Sequence, residues 1–80
     1  MDEKNDVLDE WKEILNLYFK QKIPTLVMFK YPQFDSPTIR RGKLLRIGDH
    51  SFTIEDVKNG IEHYSYKYVI EVKEIKGESI

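Results

Sequence analysis

The chain carries two histidines, His50 and His63, set among fourteen Asp and Glu residues, and no cysteine. Neither histidine has a partner at the i, i+4 spacing that places two imidazoles on one metal, and Asp49-His50 in a turn reads as a solvated pair rather than a ligand set. The lack of cysteine excludes disulfides, thiolate zinc sites and cysteine nucleophiles. No G-x-S-x-G, Walker or dinucleotide fingerprint is present. Paired carboxylates that work as acid and base need a concave, partly desolvated pocket, and 80 residues give little wall for one. The expectation is a protein that is not an enzyme and uses no cofactor and no metal.

Binding chemistry is better supplied. Counting Lys and Arg against Asp and Glu, residues 1–19 carry 2 against 6, residues 20–46 carry 7 against 1, and residues 47–80 carry 4 against 7. A net charge of -1 thus hides a strongly basic middle third, and charge gathered on one stretch sets up a local field for an anionic partner. Aromatic rings are interleaved with these cations: Lys20 and Lys22 precede Lys30, Tyr31 and Phe34, and Arg40, Arg41, Lys43 and Arg46 follow. Single-stranded nucleic acid calls for this combination, since cations neutralise phosphates while rings stack on bases. The plainer alternative is that the charges keep loops and strand edges soluble. Tyr64, Tyr66 and Tyr68 share a face that reads as buried, whereas Tyr31 and Phe34, beside prolines, suit core packing and ligand contact equally.

These residues must be positioned by one helix and a set of strands. Val7, Leu8, Trp11, Ile14, Leu15 and Tyr18 recur at spacings of three and four, which predicts an amphipathic helix over about residues 6–19, capped by Asn5 or Asp6. Pro24 restricts Ile23 to extended geometry and opens the next element. Thr25 to Tyr31 reads as a strand, and the two prolines at 32 and 37 force a loop. Ile39 to Ile47 reads as a second strand, turned by Gly48-Asp49 into a third from Ser51 to Glu55. Asn59-Gly60 is the strongest hairpin signal in the chain, since both turn positions tolerate positive φ. Beyond it Tyr64, Tyr66, Tyr68, Ile70 and Val72 alternate with polar residues, until Val69 breaks the polar side and marks a bend or a change of layer before an end near Ile75. Residues 76–80 read as a frayed tail. One helix and four or five curved strands predict a single domain over residues 1–80, mostly β, with a small bent barrel over about 24–75 that leaves no half-exposed core.

A chain this short buries only about 60% of the surface it exposes when unfolded, so self-association is expected to complete its core. The longest apolar run, Leu26 to Phe29, is far below the length of a membrane span, and the acidic N-terminus is unlike a signal peptide. The expected location is the cytoplasm, with no membrane partner.

Three stretches resemble the bacterial Sm-like family called Hfq. Phe19-Lys20-Gln21-Lys22-Ile23-Pro24 is similar to the basic helix end and Ile/Val-Pro step that lead into that family's first strand. Gly42-Lys43-Leu44-Leu45-Arg46-Ile47, followed by Phe52-Thr53-Ile54-Glu55, resembles its glycine-centred first motif, and Tyr66-Lys67-Tyr68-Val69-Ile70 resembles its second. The resemblance covers about residues 8 to 75. It implies an SH3-type, five-stranded bent barrel that assembles into a homo-oligomeric ring of six and binds single-stranded RNA as a post-transcriptional regulator or RNA chaperone.

Residue by residue, the resemblance puts Lys67 in the pore, with Tyr68 and His50 at pore positions of altered chemistry, and Tyr66 at the boundary between subunits. Lys20 and Lys22 fall on the basic rim. Gly48 replaces the usual Asp of the first motif, and the loop from Pro32 to Pro37 replaces the family's Asn-Gly turn, which leaves Tyr31 and Phe34 as loop candidates for stacking. These departures support an alternative from another class, a protein-interaction or structural module that kept the Sm fold and lost RNA.

Overall fold

The computed structural model describes residues 3–75, with side chains described from residue 10 onward. Helix α1 spans Glu3–Gln21, and strands β1 (Thr25–Phe29), β2 (Thr38–Ile47), β3 (Ser51–Asp56), β4 (Gly60–Ser65) and β5 (Val69–Glu74) follow, with a 3-10 turn at Tyr66–Tyr68 between the last two. Asn5 and Asp6 therefore lie inside the helix rather than at its cap. The expected tail at 76–80 lies outside the described residues.

The helix ends in a Schellman motif. Ile23 N–H donates to the Tyr18 carbonyl at 2.9 Å and Lys22 N–H to the Phe19 carbonyl at 3.2 Å, which satisfies carbonyls the helix leaves orphaned. Lys22 takes φ 58°, the left-handed conformation this motif requires and that glycine usually fills. The turn reverses the chain so that α1 lies against β2 and touches β5 and the 3-10 turn. Leu15 is fully buried, with Trp11, Tyr18 and Phe19 packed against the same core.

The five strands form one antiparallel sheet in the order β4-β3-β2-β1-β5. Strand β2 carries both halves: residues 38–42 pair with β1 and residues 42–47 with β3, so the two registers overlap only at Gly42. A Cβ there would stand 1.8 Å from the Glu55 carbonyl oxygen, so the crossing requires glycine. The sheet curls strongly about this pivot. Phe29 of β1 and Tyr64 of β4 are three strands apart, about 14 Å in a flat sheet, yet their rings meet edge-on at 4.2 Å. The core enclosed by the curl is Leu15, Val27, Phe29, Leu44, Phe52, Ile54, Tyr66 and Val69.

The sheet is curled but not closed, so the bent barrel expected over about residues 24–75 stands as a five-stranded antiparallel sheet with two edges. Among the described residues β4 and β5 each have a neighbour on one side only. The single long alternating strand expected across residues 61–72 is also replaced by two strands at opposite edges. The 3-10 turn causes this: Ser65 Oγ accepts Lys67 N–H at 3.1 Å, and Val69 N–H returns to the Tyr66 carbonyl. The alternation restarts out of phase, with Val69 buried and Ile70 half exposed. The break expected at Val69 is therefore the passage from one sheet edge to the other.

Two register shifts explain exposed apolar residues. Leu44 pairs with Ile54 and Arg46 with Thr53, which leaves Leu45 as the extra residue of a bulge, and the shift between Met28 and Phe29 leaves Ile70 extra in the same way. Both side chains turn outward. The structure places a hairpin at Asn59-Gly60, in which Gly60 takes positive φ, 83°, and three residues, 57–59, close the loop between the paired Asp56 and Gly60. The Asp56 carboxylate binds the N–H groups of Lys58 and Asn59 and sets this wider turn.

Candidate functional site

The 3-10 turn carries Tyr66, Lys67 and Tyr68 and is held from two directions. Tyr66 N–H donates to the His50 carbonyl at 3.3 Å, and the Tyr66 hydroxyl donates to the Gly48 carbonyl at 2.7 Å. These bonds fasten it to the β2–β3 turn, so His50, Lys67 and Tyr68 occupy adjoining backbone segments, with His50 and Lys67 exposed. Tyr66 itself is only 2% exposed and stacks on Phe52 at 5.5 Å. It belongs to the core of its own chain. Burial raises the pKa of this phenol, so it keeps its proton and its bond to Gly48.

The Pro32–Pro37 loop is brought to the same turn. Lys30 N–H donates to the Tyr68 carbonyl at 2.9 Å, which lays the end of β1 beside the start of β5. The Tyr31 and Tyr68 rings then meet at 4.9 Å, and Phe34 stands edge-on to Tyr31 at 6.1 Å. Sequence alone divides these rings between a pore and a loop, but they form one cluster. Phe34 at its end is 52% exposed.

Cations border the rings. The Lys67 ammonium lies 5.6 Å from the centre of the Tyr68 ring, and the Arg40 guanidinium 5.8 Å from that of Tyr64, within reach of the negative ring face. Arg40 Nε also donates to the Tyr64 hydroxyl at 2.8 Å, and that hydroxyl donates in turn to Glu62 at 2.8 Å. Burial raises the pKa of both Tyr31 and Tyr64, so the phenols stay neutral and the charges on this face are the cations of Arg40 and Lys67 together with the Glu62 carboxylate. Neither Lys67 nor Arg40 forms an ion pair with another described residue. Sequence alone gives Arg40 no individual role and places Tyr64 in the core. The signal for Arg40 is its place within the interleaved cations, while the contact to Tyr64 depends on the curl of the sheet.

The rim lysines stand elsewhere. Lys20 and Lys22 project from the end of α1 beside a cavity of about 570 Å³ lined also by Tyr18, Phe19, Ile23, Lys43, Leu44 and Leu45. Of the seven cations of the basic middle third, Arg40 and Lys30 stand at the aromatic cluster, and Lys20, Lys22 and Lys43 line this apolar-floored groove.

Among the described residues no three His, Asp or Glu side chains gather where they could hold a metal ion, and no helix is long and apolar enough to cross a membrane. His63 pairs with Thr53, its Nδ1 lying 2.8 Å from the Thr53 hydroxyl. No protein-family model matches the chain, and neither a curated protein nor a solved structure matches it.

Proposed function

We propose that this chain is an Sm-like protein that binds single-stranded RNA as a ring, acting as a post-transcriptional regulator or RNA chaperone. The observation that carries this reading is the meeting of Tyr31 and Tyr68 at 4.9 Å, which joins two sequence-distant segments into one aromatic face bordered by Lys67 and Arg40. Rings that stack on unpaired bases and cations that meet the flanking phosphates are the two halves of sequence-tolerant single-strand binding. The ring supplies the rest. The unpaired edges of β4 and β5 expose Ile61 (62%) and Ile70 (50%), and pairing β4 of one copy with β5 of the next would cover both and repeat the face around a closed assembly. Repetition converts weak contacts into avidity. Fluorescence anisotropy with single-stranded oligonucleotides at several salt concentrations tests the claim: salt-sensitive binding at low micromolar protein is expected, and its absence for both uridine-rich and adenosine-rich strands refutes it.

The groove beside Lys20 and Lys22 favours a second reading, a protein-interaction module, because its floor of Tyr18, Phe19, Ile23, Leu44 and Leu45 is apolar and suits a protein side chain better than a phosphate. Nucleic acid copurifying with the protein, seen in its ultraviolet absorbance ratio, would count against that reading.

A further inference from the structure

The turn after β1 is built more firmly than its exposure requires. Phe34 N–H donates to the Tyr31 carbonyl at 3.1 Å, closing a β-turn across Tyr31-Pro32-Gln33-Phe34 with proline at its second position, where φ is already set. The Lys30 ammonium donates to the carbonyl oxygens of both Tyr31 and Phe34, so one side chain clamps the two ends of the turn. A loop fixed in this way loses little entropy when something binds to it. What it fixes is an apolar ring with no place in the core: Phe34 is half exposed, supported along one side by Tyr31, which in turn rests on Tyr68.

We infer that this turn is a preformed platform on which an unpaired RNA base stacks against Phe34, and that it makes the protein select single strands over duplex. The inference rests on the RNA-binding reading of the same face and adds the basis of strand choice. In a duplex the faces of each base are covered by its neighbours and only its edges are open, whereas an unpaired base offers a face. Phenylalanine carries no hydrogen-bonding group, so the platform accepts any base. Lys67, beside Tyr68 at the other end of the cluster, meets a phosphate of the same strand.

The test compares a mixed-sequence RNA of about 16 nucleotides, single-stranded or annealed to its complement, on the full chain at fixed salt. The wild-type protein is expected to prefer the single strand by about tenfold or more, and Phe34→Ala to lose about tenfold on the single strand while changing duplex binding by less than about twofold. Phe34→Trp should retain single-strand affinity, and the fluorescence of the introduced indole should be quenched by single strand and not by duplex. Lys30→Met, which frees the turn but keeps the ring, should lose about threefold on the single strand. Unchanged single-strand binding in Phe34→Ala, or equal losses on both forms, overturns the platform while leaving RNA binding in place. Failure of the wild-type protein to bind either form overturns the RNA reading and the platform with it.

Discussion

The Asp56 carboxylate accepts the backbone N–H of Arg41 at 2.8 Å, a bond that ties the end of β3 to β2 beside the Gly42 pivot. Its other oxygen takes the N–H of Asn59 at 2.9 Å, that of Lys58 at 3.0 Å and the side-chain amide of Asn59 at 3.0 Å. Burial pushes this carboxyl up, but the backbone N–H groups of Arg41, Asn59 and Lys58 together outweigh it and hold its pKa below the ordinary value. Stability from Asp56 is therefore present in full above the unfolded value of about 3.9 and is lost as pH falls through the lower folded value. Denaturant melts of the wild type should show stability declining below about pH 4. Asp56→Ala, which strands several N–H groups, should cost about 2 kcal/mol at pH 7 and flatten that acid limb; an acid limb as steep as the wild type's would show that other carboxylates govern it.

Glycine is required at position 42 for space and at position 60 for conformation, so alanine at the two sites should behave differently. At Gly42 the added methyl meets backbone, the Glu55 carbonyl oxygen at 1.8 Å, and nothing short of moving β3 relieves it. Gly42→Ala should cost more than about 3 kcal/mol, enough to abolish cooperative unfolding in a domain this small. Gly60 has φ 83° and open space around it, so Gly60→Ala should cost only the left-handed penalty of about 1–2 kcal/mol. Circular dichroism melts of the two variants give the comparison.

Local patterns in the sequence located the elements, because helical spacing, prolines and β-branched runs act over a few residues. Strands β1, β2 and β3 fall within about two residues of their expected bounds. What sequence missed depends on contacts between remote segments. The alternation from Tyr64 to Val72 is consistent with one strand, and only the cap of Ser65 on Lys67 and the seat of Tyr66 beneath Gly48 turn it into two. The same holds for the site. Tyr31 and Tyr68 are 37 positions apart, and no pattern along the chain shows that the pairing of β1 with β5 brings them together. Leu45 and Ile70 look like core residues in composition and are turned outward by bulges, which have no sequence signature here.

Lys22 is a case where geometry and charge can be separated. Its left-handed φ of 58° strains a lysine and would suit glycine. Lys22→Gly should therefore stabilise the fold by about 0.5–1 kcal/mol in denaturant melts, even though it removes a cation from the groove. Loss of stability would mean that the lysine stem contributes packing that outweighs the strain.

Edge pairing predicts an assembly state. If β4 and β5 join between copies, a charge at the exposed Ile61 or Ile70 should oppose it, since inward-pointing lysine is how sheet edges are kept apart. Light scattering of the wild type should report a mass several times 9.6 kDa, and Ile61→Lys or Ile70→Lys should shift it to the monomer with the helix signal retained. A wild-type monomer would remove the ring and the shared pore together.

The division of the basic residues between two places gives the last prediction. Lys67 sits at the aromatic cluster, on the turn that the resemblance puts in the pore. There its charge would repel those of neighbouring copies unless an anion is present, so Lys67→Ala should weaken RNA binding while leaving the ring intact or slightly steadier. Lys20 and Lys22 stand apart at the end of α1, beside Lys43, where each would meet a phosphate and be indifferent to the base. Replacing both with Ala should lower affinity for all single strands alike and reduce the slope of log K against log salt by about 1.4, at about 0.7 for each phosphate no longer neutralised. Since Lys67 lies beside Tyr68 and the rim lysines beside no ring of that cluster, the two effects should add in the triple variant. An unchanged salt slope in the Lys20→Ala, Lys22→Ala protein would assign the groove to a ligand other than the RNA backbone.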